Sequence, residues 1–109
     1  MKLNNATNPH TYAVIFTSLR TDVDEGYQDM GDQLEKILAQ FDGFLGSESV
    51  RNQKGQGITV SYWRDLKAIE KWRDNEKHKK AKKMGKEKWY QNYTIRFCEV
   101  FEERRFISE

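Results

Sequence analysis

A single α+β domain with elements in the order β-α-β-β-α-β is predicted by three features of this sequence. Runs dense in β-branched and aromatic residues recur at residues 11–20, 44–51, 57–63 and 93 to about 102, and each reads as a strand. Between the first two, apolar residues return at helical spacing. The third run turns at Arg64-Asp65 into a second helical region. A chain of 109 residues holds one core and is too short for two.

Residues 1–10, MKLNNATNPH, are polar, rich in asparagine and interrupted by Pro9, so a flexible N-terminal arm carrying His10 is expected ahead of one domain over residues 11–109. The first strand, TYAVIFTSLR, is apolar on both faces, Val14 and Phe16 opposing Ala13 and Ile15. The acidic residues over 22–26 suit a helix start. Tyr27, Met30, Leu34, Ile37, Leu38 and Phe41 then fall at steps of 3, 4, 3, 1 and 3, one helical stripe that Asp42-Gly43 is expected to end. FLGSESVR follows as the second strand, and NQKGQG supplies a hairpin turn, because glycine tolerates the positive φ of tight turns.

In the third strand Ile58, Val60 and Tyr62 point one way and Thr59, Ser61 and Trp63 the other, so large residues again occupy both faces. Leu66, Ile69 and Trp72 recur at three-residue spacing in the helix that follows. Asp74-Asn75 offers a break and a new N-cap, with helix again from 76 to about 88. With the last strand, YTIRFCEVFE, the order is the ferredoxin-like one. Its helices cover one face of a four-stranded antiparallel sheet. Ile15 or Phe16, Leu45, Val60, and Phe97 or Val100 would leave the other face apolar and bare, more than solitary proteins usually expose. The expected cover is a second copy, a C2 homodimer packed sheet to sheet.

Composition narrows the function classes. Aromatic residues make up 13% of the chain, a high share that serves core, interface or ligand stacking. A net charge of +2 implies neither a nucleic-acid nor a membrane partner. Cys98 is the only cysteine, which excludes an intrachain disulfide and fits a reducing, cytoplasmic setting. Two histidines and one cysteine give no metal-ligand spacing, so no metal site is expected. Seven lysines between Lys77 and Lys88 surround most of their helix and read as a solvated face. The side they spare holds His78, Ala81, Gly85 and Trp89, at spacings of 3, 4 and 4. Its two small residues either leave room for a planar ligand or let helix and sheet pack closely.

The succession GFLGSES (residues 43–49), a hairpin, a strand ending in Tyr62-Trp63, then Ala68, Trp72 and His78, resembles the antibiotic biosynthesis monooxygenase family over about residues 12–101. Members of that family form a dimeric α/β barrel. They include cofactor-independent monooxygenases of polycyclic aromatic phenols, haem-degrading enzymes, small isomerases and proteins without known activity. The haem-degrading branch uses an asparagine on the first strand and a histidine ten residues past the tryptophan; here the strand has no asparagine and that position is Lys82. The resemblance therefore implies a monooxygenase that needs no cofactor, haem included, with a haem-binding variant as the third reading. A non-catalytic binding or stress-related module is the second. His78 would be the catalytic base that forms a phenolate able to pass an electron to dioxygen. Tyr62, Trp63, Trp72, Trp89 and Tyr93 would bind the small aromatic substrate by stacking or hydrogen bonding.

Overall fold

The computed structural model describes residues 11–109, so the expected arm and His10 lie outside the described residues. Strands β1 (Thr11–Arg20), β2 (Phe44–Arg51), β3 (Gln56–Trp63) and β4 (Tyr90–Val100) form one sheet in the order β2-β3-β1-β4. Every neighbouring pair is antiparallel, the ferredoxin-like topology expected from the sequence. Helices α1 (Tyr27–Leu38), α2 (Leu66–Arg73) and α3 (Glu76–Met84) complete the chain, and a π-helical turn (Gly85–Trp89) joins α3 to β4. None of these helices is long and apolar enough to cross a membrane.

Pairing register fixes which side chains share a face. Val14 stands opposite Ser61 and Phe97, and Phe16 opposite Thr59 and Ile95, so these residues share the helix side of the sheet with Trp63. Ile15, Val60, Ile58, Val50 and Val100 share the other side, which none of the described helices covers. Of the alternatives left open by the sequence, Ile15 and Val100 belong to the bare face and Phe16 and Phe97 do not. Leu45 is the extra residue of a bulge between Phe44 and Gly46, and Val50 is 72% exposed.

The core gathers where α1 and α2 meet the end of β3. Trp63 is 2% exposed and packs with Ala68 and Trp72, the other buried members of this cluster. Phe41 lies edge-on to Trp63 at 6.2 Å and to Trp72 at 5.3 Å, and Phe44 is 5.2 Å from Trp63. Helix α1 ends at Leu38, ahead of the expected stop, because the N–H groups of Gln40 and Phe41 bond three residues back, to Ile37 and Leu38, and tighten the last turn. Phe41 reaches the core from that turn instead. In α2 the buried face is Ala68 and Trp72, four residues apart, while Leu66 at the expected apolar position is exposed. Gly43, at φ 91°, makes this approach possible, since a Cβ there would sit 2.4 Å from the Ala68 Cβ.

Candidate functional site

Two side-chain caps aim the functional helix. Asp65 accepts from the Ala68 N–H at 2.8 Å and starts α2, and Asn75 accepts from the His78 N–H at 3.0 Å and starts α3. Between the two helices the Trp72 carbonyl takes both the Asn75 N–H at 3.1 Å and the His78 Nδ1 at 2.9 Å. The imidazole therefore lies flat on the Trp72 indole, 4.6 Å between centroids and 15° from parallel. A carbonyl oxygen only accepts, so Nδ1 carries the imidazole hydrogen and Nε2 keeps its lone pair.

His78 lines a cavity of about 280 Å³ between α3 and the sheet. Ala81 and Gly85 provide the space on the helix side; Trp63, Trp72, Phe16 and Tyr93 form aromatic walls; Ser47, Thr59 and Ser61 supply hydroxyls from the strands. A second lobe of about 240 Å³ shares His78, Trp63, Trp72 and Phe16 and continues toward Phe97 at the β4 edge. The helices leave that edge uncovered, and Phe97 is 64% exposed. Apolar walls with a few convergent polar groups are the usual make-up of a small-molecule site.

Burial pushes the His78 imidazole below its ordinary value; the bond to the Trp72 carbonyl acts the other way, and the Lys82 charge adds to the lowering. At neutral pH the ring is uncharged and able to take a proton. The same shift fixes how stability varies with pH. Because the folded value lies below 6.5, the unfolded chain binds the proton first as pH falls. The contribution of the neutral ring is complete above about 6.5 and declines below it.

The structure brings His78, Trp63, Trp72 and Tyr93 together around one space. It does not bring Tyr62 or Trp89 there. Tyr62 points to the bare face, where its hydroxyl donates to Glu48 at 2.8 Å and its acidity is weakened mainly by that bond. Trp89, 3% exposed, is sequestered in a corner with Arg20 and Tyr27: its indole N–H donates to the Glu25 carbonyl at 3.0 Å and its ring meets Tyr27 at 5.6 Å. The reason is the π turn, whose wider circuit carries Trp89 off the face that holds His78, Ala81 and Gly85. Sequence reasoning missed Phe16, Tyr90 and Lys82 in the lining. Tyr90 is held protonated by burial and by its hydrogen bond to the Tyr27 hydroxyl at 3.2 Å. Lys82 was readable in principle, standing four residues past His78 and so on the same helical face.

These features define a small ferredoxin-like α+β domain with an aromatic cavity between its third helix and its sheet. The chain belongs to the antibiotic biosynthesis monooxygenase family, whose sequence pattern it matches over residues 11–84. It is 41% identical over 104 residues to the uncharacterized protein YqjZ of Bacillus subtilis, covering 95% of this chain and 91% of that one. It is 30% identical to the jasmonate monooxygenase ABM of Pyricularia oryzae over 94 residues, which are 82% of this chain and 43% of that protein. Among solved structures, Rv0793 of Mycobacterium tuberculosis superposes with a TM-score of 0.75 at 13% identity, covering 87% of this chain and 99% of that one. SnoaB of Streptomyces nogalater, a cofactor-independent oxygenase, superposes at 0.70 and 10% identity, covering 93% and 100%. At those identities the two superpositions speak for the fold.

Proposed function

We propose that the chain is a cofactor-independent monooxygenase acting on a planar aromatic phenol, with His78 as the base. The observation that carries this reading is an aromatic-walled cavity lined by an imidazole whose Nε2 is free to accept a proton. Trp63 and Trp72 stack on the substrate, Tyr93 closes the wall beside Phe16, and the strand hydroxyls orient its oxygens. His78 takes the phenolic proton; the anion then gives one electron to dioxygen, the phenoxyl radical couples with superoxide at the ring carbon that shares its spin, and the imidazolium returns the proton to the resulting peroxide anion to give a hydroperoxide. Loss of water from it leaves a carbonyl where a CH₂ stood, so one oxygen atom enters the product and the other leaves as water. The monooxygenase name of the Pyricularia relative supports the reaction class.

In an oxygen electrode the protein, with no added cofactor, should consume dioxygen in the presence of an anthrone-type phenol and release the quinone. Binding without consumption would favour a second reading, a ligand-binding module without turnover. One observation speaks for that alternative: packing alone accounts for His78, which ties α2 to α3 through Trp72.

A second copy covers the bare sheet face in this proposal. Ile15, Ile58, Val60 and Val100 then form a self-complementary patch about a two-fold axis. Sedimentation at micromolar concentration is expected to give a dimer, and a stable monomer would count against it. Ile58→Lys should shift the species toward monomer, since it puts a charge into the middle of that patch.

A further inference from the structure

The lysine-rich run of α3 is not uniformly a solvated face. Lys82 is half-buried and lines both lobes of the cavity. Its Nζ lies 3.3 Å from the Arg73 carbonyl, at the C-terminal end of α2, where the helix presents its unpaired, partly negative oxygens. That contact employs one of three ammonium hydrogens and leaves two. Lys82 forms no ion pair with a described residue. Arg73, the other cation of the second lobe, is partly balanced by Asp74 at 3.4 Å. Among the described residues, no Asp or Glu lines either lobe. An apolar cavity with a positive rim and no acid is unfavourable for a cationic ligand and incomplete for a neutral one.

We infer that the ligand of this cavity carries a carboxylate as well as a ring system, and that Lys82 at the rim binds it. The inference rests on the aromatic-ligand reading above and adds to it the charge and orientation of the molecule: rings against the wall formed by Trp63, Trp72, Phe16 and Tyr93, carboxylate toward the α2–α3 corner. The ammonium and carboxylate meet beside low-dielectric walls, where a charge-assisted hydrogen bond is stronger than in water. Orientation has a chemical consequence as well. An anion beside Lys82 offsets the repulsion that this lysine exerts on a protonated His78, and so acts against the lowering that burial imposes on the imidazole.

Isothermal titration calorimetry with 2-naphthoate and uncharged 2-naphthamide, matched in ring system, tests the assignment on the full chain. Wild type is expected to bind naphthoate about tenfold more tightly at low ionic strength, the preference shrinking as salt screens the pair. Lys82→Gln should bring the two ligands to equal affinity by weakening naphthoate alone, while Lys82→Arg keeps the preference. Equal affinities in wild type, or a preference undiminished in Lys82→Gln, would overturn the inference and leave the aromatic cavity standing, because the amide still binds. Failure of wild type to bind either ligand would overturn both. The wild-type comparison decides without any variant having to fold.

Discussion

Replacing His78 with alanine is expected to lower dioxygen consumption with a planar phenol by about 10²- to 10⁴-fold, the usual contribution of a positioned base. The loss should fall on kcat more than on KM, because Trp63 and Trp72 still hold the rings while proton abstraction has lost its acceptor. The pH profile separates a base from a strut. In wild type, kcat/KM should lie on its plateau at neutral pH and fall with acidity once pH passes below the folded value of His78, which lies beneath 6.5. His78→Ala should show no such inflection in its residual rate. His78→Gln, which keeps a side chain able to hydrogen-bond to the Trp72 carbonyl, should recover stability without recovering rate. Equal turnover in wild type and His78→Ala would remove the residue from the mechanism.

Trp63→Ala is expected to cost about 3–5 kcal/mol of folding stability, the range for deleting a buried large aromatic. Trp63 is 2% exposed, packs edge-on against Phe41 and Phe44, and donates its indole N–H to the Ser61 hydroxyl at 2.9 Å. Truncation opens a void at the meeting point of α1, α2 and β3 and leaves the Phe rings with nothing to pack on. A small domain is stable by only about 5–15 kcal/mol, so much of the total is at stake. Urea unfolding followed by circular dichroism measures the change, with Trp63→Phe as the milder variant. A loss below about 1 kcal/mol would mean that the void closes and that the core is centred elsewhere. Because the same ring walls the cavity, Trp63→Phe should also weaken binding of planar ligands, at a smaller cost in stability than Trp63→Ala.

The strands were legible because each presents a dense run of β-branched and aromatic residues, and pairing then follows from their order. Ends were harder to read. Helix α1 stops at Leu38 although its apolar stripe runs on to Phe41, since a tightened turn delivers Phe41 to the same core. Strand β4 begins at Tyr90 and not at Tyr93, because Trp89 and Tyr90 carry no marker of where helix gives way to strand.

For the candidate site, the face formed by His78, Ala81 and Gly85 was readable at helical spacing, and Trp63 and Trp72 followed from the β3–α2 unit. Two assignments exceeded what the pattern permits. Adjacent strand residues point to opposite faces, so Tyr62 and Trp63 could not both line one cavity. Uniform helical spacing put Trp89 beside His78, and a π turn is invisible to that spacing. Phe16 against Ile15 is a choice of strand parity that only register decides. Lys82 stands four residues past His78 and so shares its helical face, a placement that the run of seven lysines to which it belongs obscures.

The π turn at Gly85–Trp89 also governs where this chain tolerates insertions and deletions. Gly85 lies so near the Tyr90 ring that a Cβ would come within 3.0 Å of it, and the Trp89 carbonyl accepts from the Thr21 N–H at 2.9 Å and from Arg20 Nε at 3.0 Å. Removing one residue between them would revert the segment to a regular helix, swing the indole out of its corner and shift the start of β4 by a residue. That slip would exchange the faces of Tyr93 and Thr94, Ile95 and Arg96, putting a guanidinium where the cavity has an aliphatic wall. The hairpin at residues 52–55 is pinned as well, since the Gly55 carbonyl accepts from the Arg20 N–H at 3.0 Å and from the Arg51 guanidinium at 2.7 Å. The spacing from His78 to Tyr93 thus acts as a molecular ruler, set by the wide turn between them.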